Sequence, residues 1–385
     1  MDNSDYTNNW WIFPGFRIKH LVTGLDLPVN IAFVPKHGDN PKSPLLYITE
    51  LYGQVKVVTN DYSVYTYAKN LLNYEPSHQF PGNGESGLTG ICVEPESGDL
   101  YLSMIYEEKG EVKSKLVRTR SDNGLSMKDQ KIVLDDIPST RRAHQIQAVS
   151  IGFDNKIYVN FGDGGAWYKS QDENDFRGKV VRLNHDGTIP WDNPISENPV
   201  YAKGFRNPFG AAWRKSDQHL YIAGNGPDQD DRIVRVKPYE NYGWPNTMRK
   251  NTIFWWHYTQ APTALDFMQD GQFPPLYHDH LFVALFGESY REGTGVKGKR
   301  IAKLQLNDEG TAVKSYDDFV VYKGEGPAST CGLAFGPDGL YFTDLHGEKQ
   351  GRGNLYKVVP DVEKLKEFKD KENRYAKIWG DAPGA

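Results

Sequence analysis

The sequence predicts an all-β chain closed into a six-bladed β-propeller, and three observations predict it. One unit recurs six times: a small apolar run, a turn rich in Pro, Asp and Gly, an apolar strand, a gap with glycine, and a basic-apolar strand. The aromatic after each turn falls at Tyr47, Tyr101, Tyr158, Tyr221, Phe282 and Tyr341, a period of 54–63 residues. Aromatic content is 13 %, with 23 tyrosines, a composition that suits strands and their packed faces.

The copies follow one another along the chain. Residues 31–58 form the first and residues 90–120 the second. The third runs over 149–165 and resumes at 178–187, and the fourth covers 211–238. The fifth is split between 273–287 and 298–310, and the sixth is 332–359. A period longer than the roughly 40–45 residues of simple propeller repeats means long loops, where function concentrates. Residues 155–193 hold a long insertion in blade three, and 244–273 a second, aromatic-rich one. Residues 1–360 are expected to form the propeller. The charged tail, 361–385, is expected to form a short surface helix.

Composition excludes several classes. The formal net charge is −5 and the lysines are scattered, so no basic stripe invites nucleic acid. No apolar run approaches the roughly 20 residues of a membrane helix. The start, MDNSDYTNNWWIF, lacks the basic and apolar regions of a signal peptide. Cys92 and Cys331 have no pairing signal in their spacing and are read as two buried thiols.

The stretch 204–245 concentrates unusual chemistry in three pieces: GFRNP, GNGPDQDD and NYGWP. Each breaks a strand with Gly or Pro and offers polar groups at a turn. A strand-like run, 211–223, separates the first two pieces, so both can reach one end of one sheet. An arginine, main-chain carbonyls and acids would then face one cavity.

The run GKVVRLNHDGTIPWDNP, followed in order by GFRNPFG, GNGPDQDD and NYGWP, resembles the soluble PQQ-dependent glucose/sorbosone and aldose sugar dehydrogenases. The resemblance is dense from His144 to Pro245 and traceable across all six repeats, and that family's six-bladed propeller agrees with the repeat count. It implies that His144, in RRAHQIQ, is the base that takes a sugar hydroxyl proton, work suited to an imidazole. It implies that Arg206 and Asn207 contact the quinone, the arginine stabilising negative charge on its oxygens. Asn225 and Glu85 match further cofactor contacts, and Asp163 matches an acid that orients His144 or binds sugar hydroxyls. Gly226 and Pro227 would give main-chain carbonyls to Ca²⁺, with Asp231 holding their loop. Trp167 and Tyr168 are candidates to stack on a pyranose. Each of these residues also has an ordinary structural reading, as a loop histidine, a paired arginine, a plain turn or a packed aromatic.

Two departures stand out. Gln145, Ile146 and Gln147 follow the histidine where the family has glycines. The family answers the three PQQ carboxylates with cations in blades five and six. Here blade five offers Arg291 as the best-placed candidate, with Lys297 and Lys299 nearby. The run before blade six reads Ala328, Ser329, Thr330, Cys331, with no arginine.

The function expected is oxidation of the C1 hydroxyl of an aldose to the lactone. Hydride would pass to PQQ beside Ca²⁺, and electrons would pass on to an external acceptor. A non-catalytic propeller that has lost PQQ is the alternative, and a calcium-dependent lactonase a more distant one. The resemblance places such a protein in the periplasm or outside the cell, as a monomer or homodimer.

Overall fold

Each repeat aromatic lies on the second strand of its own antiparallel sheet, and each is buried. The computed structural model describes residues 6–74, 85–139, 143–287, 298–326, 328–346, 351–364 and 366. The turn before the aromatic has a reason for its aspartates: the hydroxyls of Tyr158, Tyr221 and Tyr341 donate to Asp154, Asp217 and Asp338. The repeat therefore fixes both an apolar body and a satisfied polar tip, and truncating one such ring costs about 3–5 kcal/mol.

Six sheets form the blades. Blade one is Pro28–Phe33, Pro44–Glu50, Gln54–Thr59 and Val64–Ala68, and blade two is Leu88–Val93, Leu100–Glu108, Glu111–Arg120 and Asp129–Ser139. Blade three is Ile146–Ile151, Ile157–Phe161, Lys179–Leu183 and Val200–Lys203. Blade four is Asn207–Arg214, His219–Asn225, Asp231–Arg235 and Thr252–Trp256. Blade five is Pro262–Phe267, Leu281–Leu285, Arg300–Leu306 and Val313–Tyr322, with Trp10–Ile12 added at its edge. Blade six is Ala328–Gly336, Gly339–His346 and Gly353–Pro360, and its outer strand is Phe16–Leu25 from the other end of the chain. Innermost strands contact their predecessors and successors, and that of blade six returns to blade one. The ring is closed.

The core lies between the blades, one apolar cluster at each of the six junctions, so strands are buried on both faces. A seventh cluster, Leu27, Val29, Leu51, Cys331 and Leu345 with Phe209 and Phe286, plugs one end of the axis. At that same end every innermost strand is bulged against its neighbour, as between Ile146 and Val149 or Pro208 and Gly210. A bulge re-aims side chains where a strand begins. Here it does so six times around one opening.

Two expectations change, and a third falls mostly outside the described residues. The aromatic run 244–273 is no insertion, since it holds the outer strand of blade four and the inner strand of blade five. Both cysteines are free, and only Cys331 is fully buried, Cys92 being half-buried. Residues 362–364 are helical, and most of the tail lies outside the described residues. Among the described residues no helix is long and apolar enough to cross a membrane.

Candidate active site

His144 sits just ahead of the innermost strand of blade three, with a left-handed backbone (φ 51°). Residues with side chains seldom adopt this conformation, and it persists only where neighbours hold it. Two main-chain bonds do so: His144 N–H donates to Glu85 Oε2 at 3.0 Å, and His144 C=O accepts from Gly164 N–H at 2.9 Å. Gly162 must be glycine, because a Cβ there would lie 2.1 Å from the His144 carbonyl oxygen.

The ring of His144 is fixed by Asp163, Nδ1 to Oδ1 at 2.8 Å, and the two side chains are 12 % and 3 % exposed. Asp163 accepts also from Gly165 N–H at 2.9 Å and, through Oδ2, from the Trp244 indole at 2.9 Å. Burial raises its pKa, but the hydrogen bond and charge of His144 and the other two donors outweigh burial and hold it below the usual carboxylate range. Ionised Asp163 accepts the Nδ1 proton, so the neutral imidazole carries its lone pair on Nε2. Among the described residues Nε2 has no hydrogen-bond partner.

Glu85 knits three blades. Its carboxylate accepts from His144 N–H, from Gln147 Nε2 at 3.3 Å, and from Asn207 Nδ2 at 2.9 and 3.0 Å. Gln147 donates as well to Asn207 Oδ1 at 3.2 Å. Gln145 bonds both main-chain groups of Gly87. The two glutamines thus do structural work where the sequence showed only missing glycines.

Arg206 directs Nη1 to the carbonyls of Asn225, at 3.2 Å, and Gly226, at 2.8 Å, and lies 5.8 Å from the Trp244 ring centre. The loop beyond is shaped by Asp231: one oxygen takes Gly226 N–H, the other takes Thr259 Oγ1 and the N–H groups of Gln260 and Ala261. A Cβ on Gly226 would meet Gln229 O at 1.9 Å, so that position too requires glycine. Pro227 is exposed at the loop tip.

The PQQ that the resemblance implies has two kinds of edge. The quinone edge fits: Glu85 and a buried Asn225 Oδ1, with no partner among the described residues, line an apolar floor of Leu51, Phe209, Phe286, Cys331 and Leu345, with the Arg206 guanidinium on the Asn225 carbonyl and the Asn207 amide on Glu85. The described residues bring no further cation to that floor. Ser329 Oγ donates to Phe286 O and Thr330 Oγ1 to Arg300 O, so both hydroxyls are committed to the main chain. Lys299 Nζ donates to Gly326 O over the Tyr322 ring. Arg291 and Lys297 lie outside the described residues. For calcium, the Gly226 carbonyl already faces Arg206, and an ion there must displace the guanidinium or share the oxygen with it. No three His, Cys, Asp or Glu side chains gather as a metal site among the described residues.

Trp167 and Tyr168 stand 55 % and 57 % exposed on the short turn Trp167–Gln171, edge to face at 5.6 Å, four and five residues beyond Asp163. The structure therefore joins His144, Asp163, Glu85, Asn207, Arg206, Asn225 and Gly226 through linked contacts, and sets the two aromatics on the adjoining loop. Sequence reasoning assigned no role to Trp244, Gln145, Gln147 or Arg232. Only Trp244 had a signal, its place in NYGWP.

The family model described as Glucose / Sorbosone dehydrogenase matches residues 25–318. Quinoprotein glucose dehydrogenase B of Acinetobacter calcoaceticus is 31 % identical over 196 residues, 43 % of this chain and 41 % of that protein. Aldose sugar dehydrogenase YliI of Escherichia coli is 23 % identical over 316 residues, 72 % of this chain and 78 % of that protein. The chain thus spans less than half the length of the first relative. The PQQ-bound aldose sugar dehydrogenase of Streptomyces coelicolor superposes with a TM-score of 0.69 at 22 % identity, over 90 % of this chain and 100 % of that one, a likeness of fold.

Proposed function

This chain belongs to the glucose/sorbosone dehydrogenase family, and from that premise we propose that it is a quinoprotein oxidising the C1 hydroxyl of aldoses to the lactone. Electrons would leave to an external acceptor. The observation that carries this reading is the His144–Asp163 pair, which leaves Nε2 without a hydrogen-bond partner among the described residues, with Asp163 N–H donating to Arg206 O at 2.7 Å. Nε2 takes the hydroxyl proton as hydride leaves C1, and Asp163 steadies the resulting imidazolium. What PQQ supplies when bound is the acceptor for that hydride. Arg206, Asn207 and Asn225 would hold its quinone edge, and Arg206 favours negative charge there. Glu85 keeps Asn207 and the His144 main chain in place. Gly226 and Pro227 would be the protein's share of a calcium site, and Trp167 and Tyr168 a platform for the sugar.

The committed hydroxyls of Ser329 and Thr330 favour a second reading, a propeller that keeps the frame and binds no PQQ. One experiment separates them. The protein is titrated with PQQ and Ca²⁺, then given glucose and a dye acceptor. Stoichiometric uptake with dye reduction, lost in His144→Ala, supports the dehydrogenase. Uptake without turnover points to another sugar, and no uptake at micromolar PQQ leaves the binding module.

A further inference from the structure

Arg232 is 1 % exposed, among the largest fully buried side chains, and has no carboxylate partner among the described residues. Neighbouring residues on a strand face opposite ways. Asp231 therefore reaches toward blade five, and Arg232 toward blade three. Its Nη1 donates to Tyr242 O and to Met248 O, both at 2.6 Å, and its Nη2 to Gly204 O at 3.1 Å. Phe205 lies 5.9 Å away, ring centre to guanidinium carbon.

These carbonyls belong to the two loops that matter. Gly204 precedes Arg206 by two residues, and Tyr242 precedes Trp244 by two. The loops also touch directly, Trp244 N–H donating to Gly204 O at 3.0 Å. A Cβ on Gly204 would lie 2.4 Å from Asn241 Oδ1 and 2.6 Å from Gly243 N, so their separation is already at its minimum. One guanidinium thus ties the loop of Arg206 to the loop of Trp244, and Trp244 in turn donates to Asp163.

Burying a charge with no counter-ion is costly, and an apolar residue of similar volume often serves stability as well or better. Burial indeed lowers the pKa of Arg232 to about 9. What an apolar residue cannot do is hold three carbonyls from two loops at once.

We propose that Arg232 is a positioning residue: it fixes Trp244 against Arg206 and, through the Trp244–Asp163 bond, sets the pose of His144. The inference rests on the reading of His144 as the base of sugar oxidation, but its first test does not need turnover.

The full chain, ¹⁵N-labelled at tryptophan, shows nine indole N–H groups, and the Trp244 signal is the one lost in Trp244→Phe. In Arg232→Met the Trp244 indole is expected to shift and to exchange with solvent about tenfold faster, as its local bond opens. The Trp213 indole, which donates to Ser150 Oγ at 3.1 Å, is expected to stay in place and so report an intact fold. Arg232→Lys keeps one donor head and should give an intermediate shift. With PQQ and sugar, Arg232→Met should lose roughly 10–100-fold in kcat at little-changed KM, the cost of slight misplacement. An unmoved Trp244 indole in folded Arg232→Met overturns the proposal. If that variant does not fold, an unmoved indole in Arg232→Lys does so. A moved indole in a protein that never oxidises sugar keeps the positioning role and removes the sugar-oxidation reading.

Discussion

One amide nitrogen of Asn207 reaches both carboxylate oxygens of Glu85, at 2.9 and 3.0 Å, and so ties blade four to the loop ahead of blade two. The same carboxylate holds the His144 main chain. Hydrogen bonds to a charged partner contribute about 1.5–3 kcal/mol each in mutational series. Glu85→Ala is expected to destabilise the protein by about 2–3 kcal/mol in urea unfolding, with the Asn207 Nδ2 donor losing its carboxylate. Its PQQ affinity should fall too.

Asp163→Asn preserves shape and removes the charge that selects the His144 tautomer. If His144 is the base, kcat falls by about 10²–10⁴ with the fold intact. Steady-state kinetics beside a thermal melt would check it. A fall of less than tenfold would remove Asp163 from the mechanism.

Trp167 and Tyr168 are more than half exposed, so their truncation should leave stability within about 0.5 kcal/mol. As a sugar platform they act on binding. Trp167→Ala is expected to raise KM by about 3–10-fold, the usual worth of one aromatic contact, with kcat little changed.

Arg206 Nη1 donates to the same Gly226 carbonyl that the proposed calcium site would use. Arg206→Met should tighten calcium uptake by the PQQ-free protein several-fold, read by calorimetry, as one positive charge leaves the loop. Turnover should drop by roughly 10² or more, as when one donor to a developing charge is lost. Unchanged calcium uptake would separate the ion from this loop.

Buried acids give the protein a pH-dependent stability of definite sign. Burial raises Glu50 and Asp344 from 4.5 and 3.8 to about 7 each. Both hold protons more tightly folded than unfolded, so their contribution is full below about pH 4 and lost as pH rises through 7. The urea midpoint should fall between pH 5 and pH 8, and Glu50→Gln, which keeps the bond from Asp26 N–H, should flatten part of that slope. Asp163, held low, acts oppositely and only in acid.

The ring was legible because its signal is local. Tyr47 through Tyr341 mark the second strand of every blade, and the aspartates that cap three of them lie three or four residues away. His144, Asp163, Arg206 and Asn207 were legible through motifs in order. Gln145, Gln147 and Arg232 were not, because their partners sit on other blades or loops, and spacing along a chain says nothing of such distances. The run 244–273 was misread for a related reason. Trp255 and Trp256 belong to an ordinary outer strand whose partner, Asp231–Arg235, precedes a long loop.

The closure of blade six has a consequence for how the protein is made. His20 bonds Asn354, 334 positions later, so Phe16–Leu25 leaves the ribosome long before the strand it pairs with exists. At about 5–20 residues per second that wait is on the order of tens of seconds. For that time the clasp of the ring is a naked edge in a crowded cell. Arg17 and Lys19, spread along it, are the charges that keep such an edge from recruiting a stranger.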